Sequence, residues 1–295
     1  MMKRRLSLIL LVSIVALASQ AQLLWKVSGN GLGRPSYVMG THHMAPASMI
    51  DEIPGLDAAI KGCDIVVGEI EKDSLMDQGS QLRMAKYMIA PSDSTLDKLY
   101  TPEQYAIIEG VFDKYSSMMG IKLSYLNPLK PNAVTAMLQQ LQALKHFPDF
   151  EAGNFIDLAV QTRANEAGRP SAGLESVQEQ VEMLFNSPLA DQARDLLETC
   201  LQDDKFELLT DELTVAYKTQ DLDKIMAVMT ESAMEGGEDS LERLLYSRNR
   251  RWIEKLVVMM PERACLVCVG AGHLPGEQGL LQLLRDRGYT VEPMK

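Results

Sequence analysis

Two short apolar runs, more than two hundred residues apart, each end in Gly-x-x-His. Ser36-Tyr37-Val38-Met39 leads into Gly40-Thr41-His42-His43, and Ala264-Cys265-Leu266-Val267-Cys268-Val269 leads into Gly270-Ala271-Gly272-His273. Apolar runs of this length, closed by glycine, read as buried strands. A strand that hands a histidine to the turn after it places that side chain at an edge of a sheet. Three of the four histidines lie in these motifs, and His146 is the exception.

Further segments have the same build. Ile65–Glu69, Ser171–Glu175 and Thr290–Pro293 read as strands, and long stretches of helical periodicity lie between them. The alternation predicts an α/β fold with a central, mostly parallel sheet. Gln22–Ser28 is expected to form an N-terminal hairpin with Tyr37–Gly40. Residues of about 74–150 and 178–235 carry no strand signal and are expected as helical layers or an insertion within a single domain spanning 22–295. Helix punctuation is clear at several points. Thr101-Pro102-Glu103-Gln104 has the form of a capping box with proline at the first helical position. Asn154 is expected to cap a helix ended by Gly168, and Ser240 one that runs to Met260 before Pro261. A last helix spans Gly276 to Arg287 with Gly288 as its stop. Gly236-Gly237 reads as a flexible joint.

The chain opens with Met1-Met2-Lys3-Arg4-Arg5, then an apolar run from Leu6 to Ala18, then Ser19 and Ala21 at cleavage-site positions. This is the pattern of a secretory signal peptide over residues 1–21, with a mature protein beginning near Gln22 in the periplasm or outside the cell. No later segment is apolar enough for stable membrane insertion. Removing Lys3, Arg4 and Arg5 from 29 basic residues leaves 26 against 40 acidic ones, so the formal charge moves from −11 to −14. Such a surface repels phosphates, which excludes nucleic acid as a partner. Four cysteines are too few for a disulfide scaffold. Cys265-x-x-Cys268 falls inside an apolar strand, where paired core thiols are expected.

In a parallel sheet, ligands gather beyond the carboxyl ends of the strands. At those ends the sequence places His42 and His43, Glu69, Glu175, and His273. Imidazole and carboxylate together suit a borderline divalent ion such as Mn²⁺, Co²⁺ or Zn²⁺, which would give a hydrolase, with a spare carboxylate as base. In the helix from Ser240, Arg248 and Asn249 fall within the apolar stripe of Leu241, Leu244, Leu245, Trp252, Leu256 and Met259. An inward Arg needs a partner. It either reaches the acidic cluster or a substrate oxyanion, or it snorkels at the rim of the stripe.

These segments resemble the TraB/GumN family. The likeness runs through Leu24-Trp25-Lys26, Ser36 to His43, Asp64-Ile65-Val66-Val67-Gly68-Glu69-Ile70-Glu71, Gly168-Arg169-Pro170 with Gly173-Leu174-Glu175-Ser176, Val269 to Gly276, and Gly288-Tyr289-Thr290-Val291. It implies a relation to the Tiki metalloproteases, which use two Gly-x-x-His motifs and an acidic residue with Mn²⁺ or Co²⁺. It also implies kinship with erythromycin esterase-like and ChaN-like folds. By position, the resemblance makes His43, Glu69 and His273 the metal or catalytic candidates, and Glu175 with Arg248 and Asn249 match further family positions. His42 departs from the pattern by standing where an apolar residue is usual, and Gly272 takes that place in the second motif. Before Asp157, Phe155 replaces the glycine of a Gly-x-Asp block.

The resulting expectation is an extracytoplasmic metal-dependent hydrolase, a peptidase, acting on a peptide or small-molecule substrate. His43, Glu69 and His273 would hold the metal. Glu175 would act as ligand or base, Arg248 with Asn249 would steady negative charge, and His42 would alter the metal's choice or fill a polar pocket. The alternatives are a non-catalytic binding protein on the same fold and a metal-free esterase with a histidine base.

Overall fold

The structure, a computed structural model, describes residues 22–116, 120–149, 153–236 and 240–294. The expected signal peptide, residues 1–21, lies outside them, as does Gly237 of the glycine pair. No helix among the described residues is long and apolar enough to cross a membrane.

Six strands form one sheet: β1 (Leu24–Gly29), β2 (Ser36–Thr41), β3 (Ile65–Gly68), β4 (Ser171–Gly173), β5 (Cys265–Gly270) and β6 (Tyr289–Pro293). Their order is β4-β3-β5-β2-β1-β6. The four strands from β4 to β2 are mutually parallel, and β1 runs antiparallel to both β2 and β6. Every segment read as a strand is one, and the N-terminal hairpin pairs Leu24 with Met39 and Val27 with Ser36. All residues of β2 and β3 are buried, as expected for strands covered on both faces.

Helices close both faces of the sheet. Leu56–Gly62, Ile156–Glu166 and Ser247–Met259 contribute Leu56, Ile60, Ile156, Val160, Trp252 and Leu256 to the sheet's core. A second apolar cluster joins helices Pro102–Ser116, Pro131–Ala143 and Leu189–Leu201 through Ile108, Phe112, Leu138 and Leu196, away from the sheet. All four cysteines are free and buried. Burial pushes the Cys265 thiol up to about 12, which suits the packing role expected of it.

Thr101 and Gln104 exchange the two bonds of the expected capping box, at 3.0 and 3.3 Å. Three helix boundaries differ from expectation. The helix assigned to an Asn154 cap starts at Ile156, with Phe155 in the capping position. There the backbone takes over from a side-chain cap, because Ile156 N–H donates to the Ala45 carbonyl and Ala47 N–H to that of Asn154. The last helix begins at Leu280, after a turn through Gly276 and Gly279. The Ser240 helix contains a π turn over Glu242–Tyr246 before its regular part, Ser247–Met259. One extra residue in a helix rotates everything after it by about 100°. In the regular part Arg248 and Asn249 are buried on the same face as Trp252, Ile253 and Leu256.

Candidate functional site

Register decides what meets at the carboxyl edge. Thr41 of β2 stands beside Gly270 of β5, and Gly68 of β3 lies between Cys268 and Gly173. Beyond β4 the pairing continues, with Glu175 N–H donating to the Glu69 carbonyl at 2.9 Å. The two glutamates therefore emerge side by side, and the two Gly-x-x-His turns follow on the side of β5 and β2. Each motif glycine has its own steric reason. A Cβ on Gly40 would lie 3.0 Å from the Ala271 backbone, so the two turns approach each other only through glycine. A Cβ on Gly270 would lie 3.3 Å from both Glu69 Oε1 and His43 Nε2 and 3.6 Å from the His273 ring. Gly270 thus leaves open a small cradle at the centre of the expected residues.

Arg248 is the hub, and its partners account for every N–H it has. Nε donates to Glu175 Oε2 (3.2 Å), and Nη2 to Glu175 Oε1 and Glu69 Oε2 (both 2.5 Å). Nη1 donates to the Leu244 carbonyl of the π turn and to His273 Nε2 (both 3.0 Å). A guanidinium carries five N–H bonds, and all five are used. The inward Arg of the apolar stripe thus reaches the acidic cluster, but it has no donor left for a substrate oxyanion. Both oxygens of Glu175 accept from one edge of Arg248, through Nε and Nη2.

Asn249 fixes the second histidine. Its Nδ2 donates to the carbonyls of His273 (3.2 Å) and Gln278 (2.8 Å), so its Oδ1 faces His273 Nδ1 at 2.7 Å. Nδ1 therefore carries the proton, and Nε2 offers the lone pair that Arg248 takes. Trp252 backs both groups, 4.4 Å from the His273 ring centroid and 4.5 Å from the guanidinium carbon.

The first motif is arranged differently. His43 is 61% exposed, its Nδ1 lies 3.3 Å from Asp157 Oδ1 and its Nε2 3.9 Å from Glu69 Oε1. Thr41 Oγ1 donates to the same Asp157 oxygen at 2.5 Å. Asp157 Oδ2 is buried and has no hydrogen-bond partner. His42 does not join the cluster. Its ring packs 5.3 Å from both Phe147 and Tyr217, and its Nδ1 accepts from Met44 N–H at 3.1 Å. At the matching position of the second motif, a Cβ on Gly272 would lie 2.2 Å from Met229 Sδ. The helices Asp203–Lys218 and Leu222–Gly236 thus land on the third residue of each motif, one on an imidazole and one on a bare glycine.

The electrostatics follow the geometry. Burial lowers the His273 pKa to about 3, so this imidazole is neutral. Asp157 raises that of His43 to about 9 against the effect of desolvation. Burial alone would raise Glu69, but His273, His43, Arg248 and the Gly270 N–H (2.8 Å) outweigh it and bring the carboxyl to about 2. Burial and the adjacent His43 lower His42 to about 4. Two carboxylates, Glu69 and Glu175, face one buried guanidinium. Arg251, half-exposed and 4.0 Å from Glu175, adds a weak contribution from the rim.

The donor set and the cradle over Gly270 fit a divalent cation held by His43 Nε2 and Glu69 Oε1. Nε2 of each imidazole lies within 4 Å of Glu69 Oε1. The three expected ligands do not, however, bring their atoms within 4.8 Å of one another. Among the described residues the set that does is Asp203, Asp204 and Glu207, which Lys114 already bridges.

Sequence reasoning missed Asp157 and Gln180 as site residues. Gln180 Nε2 donates to Glu69 Oε2 at 3.3 Å and Glu175 Oε1 at 3.2 Å. Asp157 had a signal in its Gly-x-Asp-like block, whereas Gln180 has none beyond its place in the first turn of the helix Val177–Phe185 that follows Glu175.

A mostly parallel sheet whose carboxyl edge gathers two imidazoles, two carboxylates and a buried guanidinium defines an α/β protein with an enzyme-like polar edge. The chain belongs to the TraB/PrgY/gumN family, whose model matches residues 23–293. It is similar to "Metalloprotease TIKI2" of Danio rerio, 23% identical over 91% of this chain and 60% of that protein. "Metalloprotease TIKI1" of Danio rerio is 22% identical over 88% of this chain and 60% of its own length. "Uncharacterized protein YbaP" of Escherichia coli (strain K12) is 26% identical over 84% of each chain. The chain thus spans about 60% of the length of the two Tiki relatives. No solved structure matches the chain.

Proposed function

We propose that this chain is an extracytoplasmic metal-dependent hydrolase that cleaves peptides. The observation that carries the reading is His43. It is the exposed member of an otherwise buried cluster, with Nδ1 on a carboxylate and Nε2 turned to the cradle beside Glu69 Oε1. A carboxylate behind a histidine fixes its tautomer and raises its basicity, the usual support of a ligating imidazole. When bound, the ion would polarise a carbonyl and lower the pKa of a water molecule. The chain's own residues prepare that place. Gly270 N–H holds Glu69 Oε1 in position, Arg248 and Gln180 hold Glu69 Oε2 away from it, and Asp157 orients His43. The Tiki names support the peptidase assignment, and the pattern of residues 1–21 supports the location.

The test is hydrolysis of a peptide library by the purified chain with Mn²⁺, Co²⁺ or Zn²⁺. Activity is expected to stop with a chelator and to fall by about a thousandfold or more in His43→Ala, while thermal stability changes little because the ring is exposed. Full activity in His43→Ala would sink the assignment. The pairing of His43 with Asp157 also favours a second reading, metal-free hydrolysis with His43 moving the proton at Nε2. Activity on a small ester that survives chelation but is lost in His43→Ala would select it.

A further inference from the structure

The two Gly-x-x-His motifs suggest a symmetric pair of ligands, but the hydrogen bonds around His273 do not. A neutral imidazole has one lone pair, in the plane of its ring, and a metal must lie on that axis. At His273 the axis is taken by Arg248 Nη1 at 3.0 Å. The ring cannot offer its other nitrogen, because Nδ1–H is bound to Asn249 Oδ1, and two backbone carbonyls hold the Asn249 amide in that orientation. Arg248 is not free to step aside either. The Leu244 carbonyl anchors Nη1, and Glu69 and Glu175 hold the rest of the guanidinium. Around His43 Nε2, by contrast, no donor among the described residues lies within hydrogen-bond distance, and the cradle over Gly270 adjoins it.

We propose that His273 is a positioning residue for Arg248, and that the second motif supplies no metal ligand. The chain of contacts then runs from Asn249 through His273 and Arg248 to Glu69 Oε2, which leaves Glu69 Oε1 facing the cradle. His43 and Glu69 are the protein's whole contribution to the ion, and its remaining positions belong to water and substrate. This rests on the metal reading above for its ligand count, but the Arg248–His273 contact stands without it.

The experiment is Zn²⁺ titration of the full chain, followed by calorimetry and by histidine ¹⁵N resonances. In the metal-free protein His273 is expected as the Nδ1–H tautomer. Saturating Zn²⁺ should move the His43 Nε2 resonance and leave that of His273 in place. Glutamine at 273 can present its carbonyl oxygen to Arg248 but is a poor zinc ligand. His273→Gln should therefore keep Zn²⁺ affinity within about threefold, while His273→Leu loses about tenfold, as removal of an outer support does. If His273→Gln and His273→Leu both lose about a hundredfold or more, or if Zn²⁺ moves His273 Nε2, the proposal is overturned. If the wild-type chain binds no Zn²⁺, the metal reading fails. The Arg248–His273 contact is then decided in the metal-free protein by Arg248→Lys, which should displace the His273 Nε2 resonance. An unmoved resonance would overturn it.

Discussion

The two Gly-x-x-His turns share a motif and a sheet edge, yet they have been built into opposite environments. The first presents a solvent-exposed imidazole, drawn towards the charged state by Asp157, with Nε2 open. The second encloses a neutral imidazole between Asn249, Arg248 and Trp252 with both nitrogens committed. A short motif therefore specifies where a side chain starts, not what it meets. That is decided by the elements packed above each turn, the helix Ile156–Glu166 at one and the π turn with its following helix at the other.

The largest blow to the second environment is Arg248→Met. It leaves Glu69 and Glu175 buried without their cation, and urea unfolding should show a loss of about 3–5 kcal/mol. Glu175→Gln added to Arg248→Met should recover part of it. If Arg248→Met unfolds at the wild-type urea midpoint, the guanidinium is not the hub described. A smaller effect tests the packing difference between the turns. Gly272→Ala drives a methyl into Met229 and should cost about 1–2 kcal/mol, relieved by Met229→Ala because only a flexible side-chain tip is in the way. An equal cost with and without Met229→Ala would place the clash elsewhere.

The gentlest probe is pH, because the two histidines pull stability in opposite directions. His273 and His42 are depressed from 6.5 to about 3 and about 4. Their contribution is complete above pH 6.5 and is lost as pH falls, since the unfolded chain takes up protons first, at about 1.4 kcal/mol per pH unit for each group. His43 is raised from 6.5 to about 9, so its contribution is complete below pH 6.5 and is lost as pH rises through about 9. Exposure of the ring screens this alkaline arm and makes it the shallower one. The thermal midpoint should peak near pH 6.5, and His43→Gln should flatten only the alkaline side. A variant that flattens the acid side instead would exchange the two environments.

Much of this could be read in the sequence. Alternating apolar runs and strand-end residues located all six strands and brought Glu69, Glu175, His43, His273, Arg248 and Asn249 to one edge, because backbone periodicity and register govern both. What escaped depends on directions finer than periodicity. His42 and His43 are neighbours, yet one turns to Tyr217 and the other to Asp157. The π turn shifts helical phase by a residue that no apolar pattern announces. The complete use of Arg248's donors depends on five acceptors from four segments, of which only Leu244 is near Arg248 in sequence.

The position of β5 has a consequence for how the molecule comes into being. It sits between β3 and β2, at the middle of the sheet, yet it is made from residues 265–270. Until those residues exist, β1–β2 and β3–β4 are separate two-stranded ribbons, each marginal in water by itself. A product that stops before β5 holds the glutamates, the first histidines and even the arginine, but lacks the strand that joins the two ribbons. The site is thus completed late in assembly, when residues 265–273 enter between the two ribbons.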